Sequence, residues 1–162
     1  MTEIIDLEEI KPLFEPAALS MAGYPVPVYF RAPVIKGLQG QVIKETDGTL
    51  AIELLPIEDI EKLYKNFLHE TSHIFLGHAK DLEPRNLPAK IVEMQEKGIQ
   101  LLPASTDEEH EEYWNSPQEL EARGFADYFY NFSKEKARFF YGDDNVKFCL
   151  LVCAKTTIQK GE

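Results

Sequence analysis

A chain of 162 residues is long enough for one domain with a real core and short for two. Its hydrophobic fraction of 44% and charged fraction of 28% are those of an ordinary folded protein, which excludes disorder over the whole length. The formal net charge of -11 argues against direct binding of DNA or RNA, which needs clustered Lys and Arg, and against an anionic membrane surface.

Residues 1–20 are acidic and amphipathic, and Pro12 and Pro16 break the pattern into short helical pieces. The first nine residues lack the basic-then-apolar order of a signal peptide, and no run of 18 apolar residues occurs, so a cytoplasmic protein is expected. Residues 24–33 hold three prolines among aromatic and β-branched residues, the composition of an extended edge segment. Residues 41–55 predict an antiparallel hairpin, because Asp47-Gly48 separates two β-prone runs.

From Pro56 to about Leu76 a helical period is expected: Ile57, Ile60, Leu63, Tyr64, Phe67, Leu68, Thr71, Ile74 and Phe75 fall on one side. Gly77 is the expected left-handed stop. A second helix is expected over 87–97, and an acidic loop over 103–115. Ser116-Pro117-Gln118-Glu119 is a helix start with a capping box, and the helix is expected to reach about Lys136. Residues 146–158, rich in Val, Phe, Leu, Thr and Ile, read as a terminal strand. Two cysteines, Cys149 and Cys153, are too few for a disulfide framework and read as buried thiols.

The chemistry concentrates in His69-Glu70-Thr71-Ser72-His73. Two histidines four apart on a helix can reach one ion from the same side, and the intervening Glu70 is placed to take a proton from a water activated by that ion. With 4 His and 20 Glu, chance alone produces this pattern in roughly 1% of such chains, so it outweighs the alternative of a solvated polar face. A catalytic zinc site takes three protein ligands and keeps one position open. Glu121 is the expected third ligand: it projects from a helix face shared with Phe125, Tyr128 and Phe132, where a carboxylate without a counter-charge is costly. Glu119 is accounted for by the capping box. The metzincin pattern fails, since Leu76 and Ala79 stand where it needs Gly and His. His78 and His110 read as surface histidines. Tyr128, Tyr113, Tyr130 and His78 are the open candidates for stabilising an oxyanion.

The histidine motif, followed by Phe75-Leu76-Gly77-His78 and by Glu121-Ala122-Arg123-Gly124-Phe125-Ala126, resembles the ImmA/IrrE family of bacterial and phage metallopeptidases. The likeness spans about residues 40–132. It implies a gluzincin-like site, with His69, His73 and Glu121 on zinc and Glu70 as base. It also implies cleavage of a protein substrate, often a helix-turn-helix repressor. Thr71-Ser72 replaces the Leu-Gly common in the family, and Arg123 replaces a common Asn. The expected architecture is a single α+β, zincin-like metallopeptidase domain over 1–162, a small antiparallel sheet packing on the histidine helix and a Glu-bearing helix closing the site. The expected cofactor is Zn2+, which two imidazoles and one carboxylate favour. The alternative is a catalytically silent metal-binding module that docks on a transcription factor or other protein.

Overall fold

The computed structural model describes residues 6–85, 87–100 and 106–156, with Asp107 and His110 described in their backbone only. Among these residues three strands and six helices form a small α+β domain. The chain begins with α1 (Leu7–Ala22), capped by Asp6, whose side chain accepts from the Glu8 amide. It is one continuous helix despite Pro12 and Pro16, not the short pieces expected from those prolines. An interior proline costs about 3 kcal/mol. Against that stand the fully buried side chains of Ile10 and Phe14 and the nearly buried Met21, worth about 1.5–3 kcal/mol each, so packing wins.

The strands are β1 (Val28–Phe30), β2 (Gly40–Lys44) and β3 (Leu50–Leu54), in the order β1-β3-β2. The hairpin of β2 and β3 is antiparallel, pairing Val42 with Ile52 and Ile43 with Ala51. β1 lies on the other edge of β3 and runs parallel to it, so the sheet is mixed where an antiparallel one was expected. The reason is connectivity. β1 reaches β3 through a crossover that includes β2, a turn too distant in sequence for the hairpin signal to report. The edge placement of this proline-flanked strand follows the sequence reading.

β3 is buried on both faces. Ile52 and Leu54 join the main core, while Glu53 points to the opposite face at 0% exposure. There Arg31 Nε donates to Glu53 Oε2 at 2.7 Å and Arg85 Nη1 to Oε1 at 3.1 Å. Gln95, on α3 (Ala89–Glu96), donates to the same carboxylate at 2.8 Å and to the Ala32 carbonyl at 3.0 Å. This network fastens α3 over the sheet.

On the core side lies α2 (Ile60–Phe75), opened by Asp59 rather than by Pro56. It touches α1, β2, β3, α5 and α6 and is buried nearly all round. Two further helices depart from expectation. Residues 107–114 form α4 (Asp107–Trp114) and not a loop, because Thr106 and Glu109 make a reciprocal capping box. Residues 146–155 form α6 (Val146–Lys155) and not a strand. Their buried members Val146, Cys149, Leu150 and Cys153 recur at helical spacing, and Asn145 caps the first turn through the Phe148 amide. Packing against α1 and α5 overrides the β-propensity of the segment. Residues 157 and 158 of the expected strand lie outside the described residues. α5 (Pro117–Tyr141) extends five residues past the expected end and stops at Gly142. No described helix is long and apolar enough to cross a membrane.

Glu53→Ala removes the carboxylate that Arg31, Arg85 and Gln95 share, leaving two largely covered cations without their counter-charge. The expected cost is about 3 kcal/mol, read as a lower urea midpoint with an unchanged slope.

Candidate metal centre

α2 brings the histidines to the wall of a cleft of about 680 Å³. Their placement is not that of a solvated helix face. Glu70 is buried and the two imidazoles are largely covered, with side-chain exposures of 20% for His69 and 12% for His73. The neighbours that lie deeper, Thr71 and Ser72, satisfy their hydroxyls by donating to the carbonyls of Phe67 and Leu68, each at 2.7 Å. This is how the helix tolerates a Thr-Ser pair at its most enclosed point.

His69, Glu70 and His73 each offer a ligand atom, all within 4.8 Å of one another. The two imidazole Nε2 atoms face each other at 3.2 Å. A zinc tetrahedron with bonds of about 2.1 Å has edges of about 3.4 Å, so the pair is spaced for one ion. A carboxylate from α5 completes the cluster, and it belongs to Glu119: Oε1 is 3.0 Å from His69 Nε2 and Oε2 is 2.5 Å from His73 Nε2. Glu119 Oε2 is buried and makes no hydrogen bond despite that proximity. Two imidazole nitrogens and an acceptor-only carboxylate, converging in a buried place, fit a cation held among them.

Glu121, expected as the third ligand, does not reach the pair. Its side chain is 54% exposed, and Oε1 lies 2.7 Å from His78 Nε2. The buried stripe of α5 runs through Glu119, Ala122, Ala126, Phe129, Ser133 and Ala137. It is a stripe of small residues because α5 lies close against α2 and α6. Of the aromatic residues that pointed to Glu121, Tyr128 is largely exposed, while Phe125 and Phe132 are partly buried against the core. The capping box is half formed. Ser116 accepts from the Glu119 amide at 3.3 Å, but the Glu119 carboxylate goes to the histidines instead of reciprocating. Registering Glu119 with the buried repeat at three- and four-residue steps would have placed its side chain against α2; counting aromatic residues pointed to Glu121 instead.

Glu70 reaches the site from the β2 side. A Cβ on Gly40 would lie 3.2 Å from Glu70 Cγ, so the first residue of β2 must be small for Glu70 to keep its position. Burial raises the Glu70 carboxyl above its ordinary range, the positive fields of His69 and His73 oppose this, and Glu119 adds to the rise. Burial also raises Glu119, but the hydrogen bond from His69, the close approach of His73 and the charges of both outweigh it and hold Glu119 well below the usual carboxylate range. Burial lowers His69; the hydrogen bond to Glu119 and the charges of Glu70 and Glu119 overcome that and leave it raised.

Of the four oxyanion candidates, Tyr113 and His78 line the cleft. His78 spends both nitrogens, on His73 and on Glu121. Tyr130 donates to Glu61, away from the cleft. Tyr113 remains. Tyr113 is 58% exposed, but partial desolvation and the carboxylates of Glu119 and Glu70 push its phenol above the ordinary range, so it stays a donor. Arg123 steadies the end of α4 that carries Tyr113, stacking on Trp114 at 4.0 Å and donating to its carbonyl at 2.6 Å. The side chain of His110 lies outside the described residues.

A raised His69 contributes stability to the metal-free protein below its ordinary value of 6.5, and that stability is lost as pH rises through the raised value. A metal needs the same nitrogen unprotonated. Between pH 6 and pH 8, thermal melts should therefore show a falling Tm without metal and a growing Tm gain from added Zn2+. A metal-induced gain independent of pH over this range would contradict the arrangement. Compared with known proteins, the chain matches no family model, no curated protein and no solved structure, and its likeness to the ImmA/IrrE family rests on its own motifs.

Proposed function

We propose that this protein is a zinc-dependent peptidase of the ImmA/IrrE type. The observation that carries the reading is the convergence of His69, His73 and Glu119, with a buried Glu70 beside them, on the wall of an open cleft. His69, His73 and Glu119 would hold the ion. When bound, zinc polarises a scissile carbonyl and brings the pKa of water from about 16 to about 7.

The protein's own groups supply the remaining steps. Glu70, raised toward the operating pH by burial, takes the proton of the attacking water and delivers it to the departing amine. Tyr113 donates its hydroxyl to the oxyanion that develops on the substrate. Gly40 keeps Glu70 in place. The cleft is lined by Ile35, Leu38, Val42, Leu82 and Trp114 as well as by the polar site, which suits an apolar side chain flanking the scissile bond. A protein substrate with basic surfaces, such as a helix-turn-helix repressor, matches the charge of -11 and the family likeness. The cytoplasm is the compartment this substrate implies.

The deciding experiment compares Glu70→Gln with Glu119→Ala. Glu70→Gln should keep one equivalent of Zn2+ and lose at least about 100-fold in cleavage, as expected for removal of a general base. Glu119→Ala should lose more than about 100-fold in Zn2+ affinity, beyond the effect of an outer-shell partner. A Glu70→Gln protein that supports full function in cells would instead favour a silent metal-binding module.

Gly40→Val offers a separate check. It presses on Glu70 without touching a ligand, so kcat should fall about tenfold or more while Zn2+ stoichiometry stays unchanged.

A further inference from the structure

We infer that Lys62 makes the cleft selective for a substrate carboxylate lying about three residues from the scissile bond. The inference rests on the peptidase reading above and adds a specificity residue to it. Lys62, Asn66, His69, Glu70 and His73 fall within about 100° of one another on α2, and all five line the cleft. Lys62 stands seven positions before His69, a rise of about 10 Å along the helix, which an extended peptide covers in about three residues. The facing wall keeps step with this stripe. Asn66 Nδ2 donates to Gln39 Oε1 at 3.2 Å, and a Cβ on Gly40 would lie 3.2 Å from Glu70 Cγ. The chain entering β2 therefore follows α2 from Asn66 to Glu70.

Charge singles out Lys62. Among the described residues that line the cleft, no other is a lysine or an arginine. The nearest carboxylates in sequence are committed elsewhere. Glu61 accepts from Lys134 at 2.6 Å and from Tyr130 at 3.0 Å, and Asp59 accepts from the Lys62 backbone amide at 3.1 Å. The Lys62 ammonium forms no ion pair among the described residues. It also sits in the first turn of α2, where the helix macrodipole disfavours a cation. A cation kept there without a partner, in a chain of net charge -11, is accounted for by a carboxylate that arrives with the substrate. The net charge draws a basic surface from a distance, whereas Lys62 acts at contact range, so one substrate can satisfy both. The carboxylate is an Asp or Glu side chain or the end of a peptide chain.

The test uses the zinc-loaded full chain and a library of synthetic peptides in which each position in turn holds Asp, Asn or Lys. Cleavage is read by mass spectrometry. At one position about three residues from the cut, Asp should be favoured over Asn about fivefold in kcat/KM, the scale of a partly exposed ion pair. Salt at about 0.5 M should shrink that preference. Lys62→Gln should erase it, and Lys62→Glu should reverse it toward Lys. Lys65→Glu makes the same change in net charge outside the cleft, where Lys65 Nζ lies over the Tyr130 ring, and should leave the preference intact. Fluorescence anisotropy of the same peptides on the Glu70→Gln chain should give the same order of binding. Peptides with free and amidated C-termini separate the two sources: a preference lost on amidation identifies a terminal carboxylate, and one that survives identifies a side chain. Cleavage without an acidic preference, a preference that persists in Lys62→Glu, or one lost equally in Lys65→Glu overturns the role of Lys62 and leaves the peptidase reading standing. A wild type that cleaves no member overturns both.

Discussion

A carboxylate buried between two imidazoles constrains this molecule more than any other contact. Glu119 comes from the first turn of α5 and His69 and His73 from the last turns of α2, so their meeting fixes how the two helices cross. The association is costly without a cation. Removing a charged group from water costs several kcal/mol, and two lone-pair nitrogens pointing at a carboxylate repel it. A proton shared with His69 or a divalent ion turns that cost into cohesion. The shifts of His69 and Glu119 in opposite directions express this dependence, since each group favours its charged form through the other.

The rest of the fold serves this junction by enclosing α2. The β2–β3 hairpin lies along one side, α1 and α6 along another, and α5 along a third. An enclosed helix must satisfy every polar group it carries. Thr71 and Ser72 do so within the helix. Tyr64 places its hydroxyl 2.6 Å from Ser133 on α5 and 3.3 Å from Cys153 on α6, tying three helices at one point. His69, Glu70 and His73 face the cleft together with Lys62 and Asn66, and the first three are the groups that carry the proposed chemistry. The opposite face of the sheet is built differently. Its buried charge, Glu53, is fully matched by two guanidinium groups and an amide, which marks it as structural.

Arg123 and Thr71-Ser72 have physical roles in this setting. Arg123 packs on Trp114 and bonds its carbonyl, so it acts on the helix that presents Tyr113 and leaves the ligands alone. The two hydroxyls are compatible with a buried turn because each finds a carbonyl four residues back.

The sequence by itself determined the features that depend on neighbours a few residues apart. Asp47-Gly48 specified the hairpin, the apolar period specified α2, Gly77 ended it, and the four-residue spacing put His69 and His73 on one side with Glu70 adjacent. Local rules also sufficed for α4, whose capping box at Thr106 and Glu109 is legible although the acidic composition of 103–115 points to a loop. Tertiary structure decided the rest. Residues 146–155 are rich in Val, Phe and Leu, so composition points to a strand, while the helical recurrence of Val146, Cys149, Leu150 and Cys153 is realised by packing on α1 and α5. Proline in α1 was overruled by burial in the same way. The choice between Glu119 and Glu121 is the sharpest case. Both sit in the first turns of one helix, and the rotation of that helix about its axis selects between them. That rotation is set by which residues can approach α2 closely, and the small side chains of Ala122, Ala126 and Ser133 allow it where the aromatic face does not.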